Sequence, residues 1–279
     1  MPFTISHVAA VLPARRWLRH GGLFSAAVIG SMVPDFGVLL PYHLARASTH
    51  GLRALATFCL PAGLLAWWLY QSVIRPAWSE VLPGGWRLRR QHGADALRTG
   101  NLGDWAGAAA AIMIGALTHL CWDAFTHEDA RGVRMLPFLD DYYGPELVGH
   151  PVHLYRWLQH GSSLLGLAAV AIAVWRWTHD GRTSRAPQPE GGVGGHQAGI
   201  GLSRRERHRW LLGYLAVALA VLAIALISGY PRRDRWLTLG DTITNLAIIG
   251  LDGAAISLLL VSALIRLRVA RIARLPLDD

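Results

Sequence analysis

The sequence predicts an all-α protein, a polytopic membrane bundle of about six helical spans. Three observations predict it. Its 279 residues are 52% hydrophobic and only 16% charged, against roughly 25% charged in a soluble domain. The apolar residues fall into runs of about 20, long enough to cross a bilayer. Periodicity in and around those runs is helical, and no convincing alternating strand or internal repeat appears.

The first run, 23–44, contains Pro34 and Asp35 in "GSMVPDFGVLL" and is open to a break there. The others are 54–74, 103–122, 161–178, 210–230 and 244–266. Ahead of them, residues 4–20 suit a re-entrant or interfacial helix. The opening "MPFTISHVAAVLPARRW" lacks a charged n-region and a small-residue cleavage site, so it reads as mature sequence. Segment 75–102 is polar and arginine-rich. Segment 179–208 reads as a flexible arginine-rich linker containing "GGVGG" and closing on arginines. It divides a core at 1–178 from a C-terminal helix pair at 209–279.

The formal net charge is +9, and every Lys/Arg position is arginine. These arginines cluster between apolar runs, which suits a positive-inside topology in a bilayer and not nucleic-acid binding. With six spans, the arginine-rich pieces share the cytoplasmic side, and the acidic stretch 123–160 faces the other way with the 45–53 loop. Arg15, Arg16 and Arg19 place the N-terminus inside, whereas His7 belongs outside if it joins the other histidines. Cys59 and Cys121 both lie in apolar runs and allow no zinc motif or disulfide framework. Phosphate-loop, serine-elbow and H-E-x-x-H motifs are absent.

The chemistry concentrates in "GALTHLCWDAFTHE", residues 115–128. A helix turns 100° per residue, so His119, Asp123 and His127 lie within about an 80° arc and climb roughly 12 Å. His119 and Asp123 can share one divalent cation. Imidazole with carboxylate suits zinc, and also manganese or iron(II). The spacing alone equally describes polar residues where a helix meets water. Asp35 adds weight, because a carboxylate at membrane depth is costly, although an Asp after a proline break also caps helices. His50, in "RASTHGL", and His160, in "LQHGSSLLGL", fall on the face assigned to His127; His153 shares that side if its helix extends back. His20, His92, His179, His196 and His208 lie among arginines and read as solvated; His43 and His150 stay open. Asp252, deep in the last run, is balanced between function and structural pairing.

"MPFTISHVAAVLP", "GSMVPDF", "THLCWDAFTH" and "LYRWLQHGSSLLGL" together resemble the bacterial domain-of-unknown-function family 4184, over about residues 1–265. That family is similar in pattern to the membrane-bound metal-dependent hydrolases. More remotely it resembles the zinc-dependent phospholipase C and single-strand nuclease superfamily, all-helical enzymes with three zinc ions. The resemblance implies a core of that helical fold. It also implies one metal site from Asp35, His50, His119 and Asp123, and a second where His7 joins a bridging Asp123. A third would come from His127 and His160. The sequence departs from the superfamily at Leu164, where those enzymes carry glutamate, and lacks their N-terminal tryptophan ligand. Glu128, Asp129 or Glu146 are the candidates to substitute.

The expectation is a membrane-bound hydrolase holding one to three divalent ions, zinc foremost, with Asp123 and Asp35 catalytic. Its substrate would be the phosphoester of an amphiphile, a phospholipid or prenyl phosphate, with Arg46 or Arg53 contacting the phosphate. The alternative is a non-catalytic metal-binding membrane protein or assembly subunit. A transporter using Asp35 and Asp252 ranks last, because no paired broken segments appear. Ligands of a metal centre sit about 2 Å from the ion, so His7, Asp35, His50, His119 and Asp123 should converge within about 6 Å.

Overall fold

The computed structural model describes residues 4–18, 22–39, 46–81, 101–144, 151–179, 202–228 and 239–272. Apart from a single bridge between Tyr142 and His153, all regular structure among them is helical. A 3-10 helix, Thr4–Arg16, comes first. Then come α1 (Leu23–Met32), tightening into a 3-10 turn at Val33–Leu39, and the short α2 (Arg46–His50). The long helix α3 runs Leu52–Trp78, and α4 is Leu102–Thr126. A short α5 (Arg131–Met135) and a 3-10 turn (Pro137–Asp140) lead to α6 (Leu154–His179). The chain closes with α7 (Arg204–Ser228) and α8 (Leu239–Ile272). The linker expected at 179–208 lies outside the described residues from 180 to 201, as do His20, His43, His92, His150, His196 and Glu146.

Among the described residues, five helices are long and apolar enough to cross a membrane: Leu52–Trp78, Leu102–Thr126, Leu154–Trp177, Arg204–Ile227 and Ile248–Arg271. Large side chains such as Leu164, Leu165 and Ile227 stand exposed on them, as lipid-facing surface must. The chain is an integral membrane protein by this measure. The first of the six expected spans, 23–44, differs. Its apolar helix, Leu23–Gly37, is shorter than a span. Pro34 has no N–H to continue the α-helical ladder, and the backbone tightens at Val33. Proline also marks α3, which widens into π turns at Leu55–Cys59 and Tyr70–Ile74 just before Pro61 and Pro76.

By packing, the residues divide into two units. The first comprises Met1–Trp67 and Asp95–Trp177. Its centre is the contact of α1 with α4, which meet backbone to backbone. A Cβ on Gly30 would strike the Ile112 carbonyl, and one on Gly115 would strike the Ala27 carbonyl and lie 2.7 Å from Ser31 N. Small residues at a membrane helix contact permit this approach. Val33, Leu55, Cys59 and Ala116 form the adjoining core. α4 starts on Asn101, whose side chain accepts from Gly103 N at 3.0 Å, satisfying an otherwise open helix-terminal donor.

The second unit comprises Trp68–Ala94 and Thr178–Asp279. Ala77, Val81, Leu202, Val261 and Ile265 form its core. α7 begins with a capping box: Glu206 accepts from Ser203 N at 2.9 Å while Ser203 Oγ accepts from Glu206 N at 3.2 Å.

Candidate metal centre

Four elements of the first unit deliver the polar side chains. The N-terminal 3-10 helix brings His7, held by buried Val8 and Val11. Ser6 presses on α6 where only glycine fits, since a Cβ on Gly166 would lie 2.7 Å from the Ser6 carbonyl oxygen. The turn after Pro34 brings Asp35, the end of α2 brings His50, and one face of α4 brings His119 and Asp123. His127 follows directly, in extended backbone that ends α4.

The distances describe a cage. His50 Nε2 lies 3.3 Å from Asp35 Oδ1 and 3.6 Å from Asp123 Oδ2. His119 Nε2 lies 3.6 Å from Asp35 Oδ1 and 3.5 Å from Asp123 Oδ2. Ligands about 2.0–2.1 Å from a tetrahedral zinc ion stand roughly 3.3–3.4 Å apart, and each of these four imidazole-to-carboxylate separations is close to that. On its other oxygen Asp123 faces His7 Nε2 at 3.6 Å and His127 Nδ1 at 3.4 Å. Asp35, His50 and His119 form one metal-capable group, and His7, His119 and Asp123 another.

Hydrogen bonds fix the tautomers. His119 Nδ1 lies 2.8 Å from the Ser31 carbonyl oxygen. A carbonyl only accepts, so Nδ1 carries a proton, and in its neutral form the ring aims a bare Nε2 at two carboxylates. Thr49 Oγ donates to the Arg46 carbonyl at 3.3 Å, so it accepts from His50 Nδ1 at 2.7 Å. His50 Nε2 is then bare as well. Such bonds orient the imidazoles of metal sites. The buried nitrogens His7 Nε2, His50 Nε2 and His119 Nε2, with Asp123 Oδ1, have no hydrogen-bond partner. Lone pairs facing carboxylates repel, and unpaired buried polar atoms are costly. A cation among them removes both objections. The residues fit a divalent metal.

Burial pushes the His7 imidazole down to about 4, and His119, stacked on it at 3.8 Å between ring centroids, acts the same way against the pull of Asp123. Burial likewise lowers His127 to about 4, with Asp123 opposing and Arg46 reinforcing the shift. Both rings are therefore neutral at pH 7 and have a lone pair to offer. Arg46 donates to Asp123 Oδ2 at 2.7 Å, and its side chain is 48% exposed. It forms the open rim of the site.

The six residues His7, Asp35, His50, His119, Asp123 and His127 thus come together. His160 does not: it is exposed and belongs to neither group. Its neighbour Gln159 is buried instead, with its amide nitrogen 3.0 Å from His127 Nε2. One residue is 100° of helix rotation, which separates the two. As a donor the amide leaves His127 Nδ1 protonated against Asp123; turned over, its oxygen takes an Nε2 proton and frees Nδ1. Arg53 is exposed on α3. Glu128 pairs with Arg156 at 3.7 Å, Asp129 holds a positive-φ turn, and His153 meets Asp140. Asp252 belongs to the second unit. Sequence reasoning passed over the supporting residues. Thr4, which donates to Asp35 Oδ2 at 2.8 Å, sits three residues before His7, one turn of a 3-10 helix. Thr49 adjoins His50. Ser31 acts through its carbonyl, which no residue pattern reveals.

Searches among curated proteins and among solved structures find no match to this chain. A family profile with the description "domain of unknown function (DUF4184)" matches residues 1–263, a stretch that holds every residue of the cage, and the chain belongs to that family.

Proposed function

We propose that this protein is a membrane-embedded, metal-dependent hydrolase acting on the phosphoester of an amphiphile, a phospholipid or prenyl phosphate. The observation that carries it is the convergence of Asp35, His50, His119 and Asp123, whose imidazole nitrogens stand 3.3 to 3.6 Å from the carboxylate oxygens, with the His50 and His119 Nε2 atoms buried and without a hydrogen-bond partner. Those four would hold the first cation, with zinc the best fit. Asp123 Oδ1, His7 and, with the Gln159 amide turned, His127 would hold a second. Such ions supply hydroxide near neutral pH and polarise a phosphate. Two carboxylates against Arg46 leave one negative charge before any ion binds. Two divalent ions would turn this to three positive charges, suited to a phosphate. Arg46, half-exposed beside Asp123, is placed to grip a phosphate oxygen, and three-donor ligation of the second cation leaves a coordination position open. The reading includes a helical core like that of the zinc-dependent phospholipases and a bacterial cell membrane as its setting, supported by the order of the His and Asp motifs.

One observation favours a second reading. Four protein donors at the first position make a closed site, the pattern of structural zinc. A non-catalytic metal-binding membrane protein would show it too. Hydrolysis assays decide between them. Zinc-loaded protein in detergent should cleave a chromogenic phosphodiester or a short-chain phospholipid, and Asp123→Ala should abolish this. Full metal loading with no turnover of either substrate favours the second reading.

A further inference from the structure

We infer that residues 131–143 form an interfacial platform that lies in the headgroup layer of the bilayer. It would set the metal centre's mouth against lipid, so that substrate enters laterally from the membrane. The claim about substrate rests on the hydrolase reading; the claim about position does not.

The segment joins α4 and α6, two helices of span length, so it must run along one membrane face. His127 is the first residue after α4 and Asp123 lies one turn earlier, so these two cage residues stand at that same face. The segment is firmly built. Gly132 is pressed onto the end of α4, where a Cβ would lie 2.6 Å from the Ala124 carbonyl oxygen. Val133 and Leu139 are buried against Tyr155 of α6. Tyr143 N donates to Val152 O at 3.0 Å, Leu154 N to Asp141 O at 2.9 Å, and Trp157 Nε1 to Tyr143 O at 2.7 Å.

That frame turns five large apolar or aromatic side chains outward: Met135 (77% exposed), Leu136, Phe138, Tyr142 (61% exposed) and Tyr143. They are not part of any span, so lipid contact along a helix does not account for them. An exposed cluster of this kind marks an interaction surface. Tyrosines at headgroup level, with Arg131 and Arg134 beside them, match the composition of a membrane interface. The occupant is the leaflet itself, because connectivity already places the segment there. Within 131–143 Asp140 and Asp141 balance the two arginines, so apolar insertion and not attraction to anionic lipid holds it.

The test places a nitroxide at Met135→Cys, Phe138→Cys and, as polar control, Arg131→Cys, in a Cys59→Ala/Cys121→Ala background. The protein is reconstituted in phosphatidylcholine nanodiscs. Collisions with oxygen should exceed those with a water-soluble nickel complex at 135 and 138, and the reverse should hold at 131. Nickel dominance at all three overturns the inference. With native cysteines, Met135→Glu and Phe138→Glu should raise KM for phospholipid in vesicles about fivefold or more and leave a soluble chromogenic phosphodiester unaffected. Equal effects on both substrates also overturn it. If wild type turns over neither substrate, the hydrolase reading fails and the nitroxide result alone decides the platform.

Discussion

Thr49→Val removes one hydroxyl and almost no volume, and its effect can be worked from the structure. Thr49 is 4% exposed, and its oxygen is the acceptor for His50 Nδ1–H at 2.7 Å. Valine leaves that proton buried without a partner, which costs about 1–3 kcal/mol. The ring then gains by turning away from Asp35 and Asp123, and the loss appears in metal affinity as roughly 5- to 150-fold. Mutations of such supporting partners in known metal sites cost about 10- to 100-fold. The assay is competition for zinc against a fluorescent chelator in detergent. Thr57→Val is the control: its hydroxyl bonds only its own helix, to Arg53 O at 3.0 Å, and is exposed. Metal stoichiometry should stay at the wild-type value while affinity falls. An unchanged affinity in Thr49→Val, or an equal fall in Thr57→Val, refutes the argument that tautomer control prepares His50 as a ligand.

Gly115→Ala drives a methyl into the Ala27 carbonyl and the Ser31 amide. It should cost about 1–3 kcal/mol of stability in a detergent melt and weaken metal binding, because the Ser31 carbonyl moves off His119. His127 sits near a pKa of 4 when folded and about 6.5 when unfolded. The unfolded chain therefore binds more protons between those values, and wild type loses stability as pH falls through that window. His127→Asn lacks this loss, so in chelator the melting advantage of wild type over the variant should shrink from pH 7 to pH 4.5; a constant difference contradicts the shift. Arg46→Ala should retain bound metal and raise KM for a phosphodiester about tenfold or more, given the strength of a charge-assisted bond; an unchanged KM removes Arg46 from substrate binding.

The helical spans were legible because a bilayer demands a fixed length of apolar chain. The pairing of His119 with Asp123 was legible because helical period alone puts them on one face. Asp35 stood out because lipid makes a lone carboxylate expensive. The rest depends on tertiary contacts. Sequence spacing pointed to His160, yet it is the neighbouring Gln159 that turns inward to His127. The N-terminal segment adopts a 3-10 helix over 13 residues, so His7 and Thr4 share a face by a three-residue period rather than an α-helical one. Ser31 contributes only because glycines at 30 and 115 bring two backbones into contact.

Elemental analysis of the purified full-length protein bears most directly on the central claim that Asp35, His50, His119 and Asp123 form a metal cage. Wild type and His160→Ala should each carry at least one zinc per chain after dialysis against metal-free buffer. His119→Ala, folded as judged by circular dichroism, should lose it. Wild-type protein that carries no stoichiometric divalent metal, or His119→Ala that keeps the wild-type amount, contradicts the account.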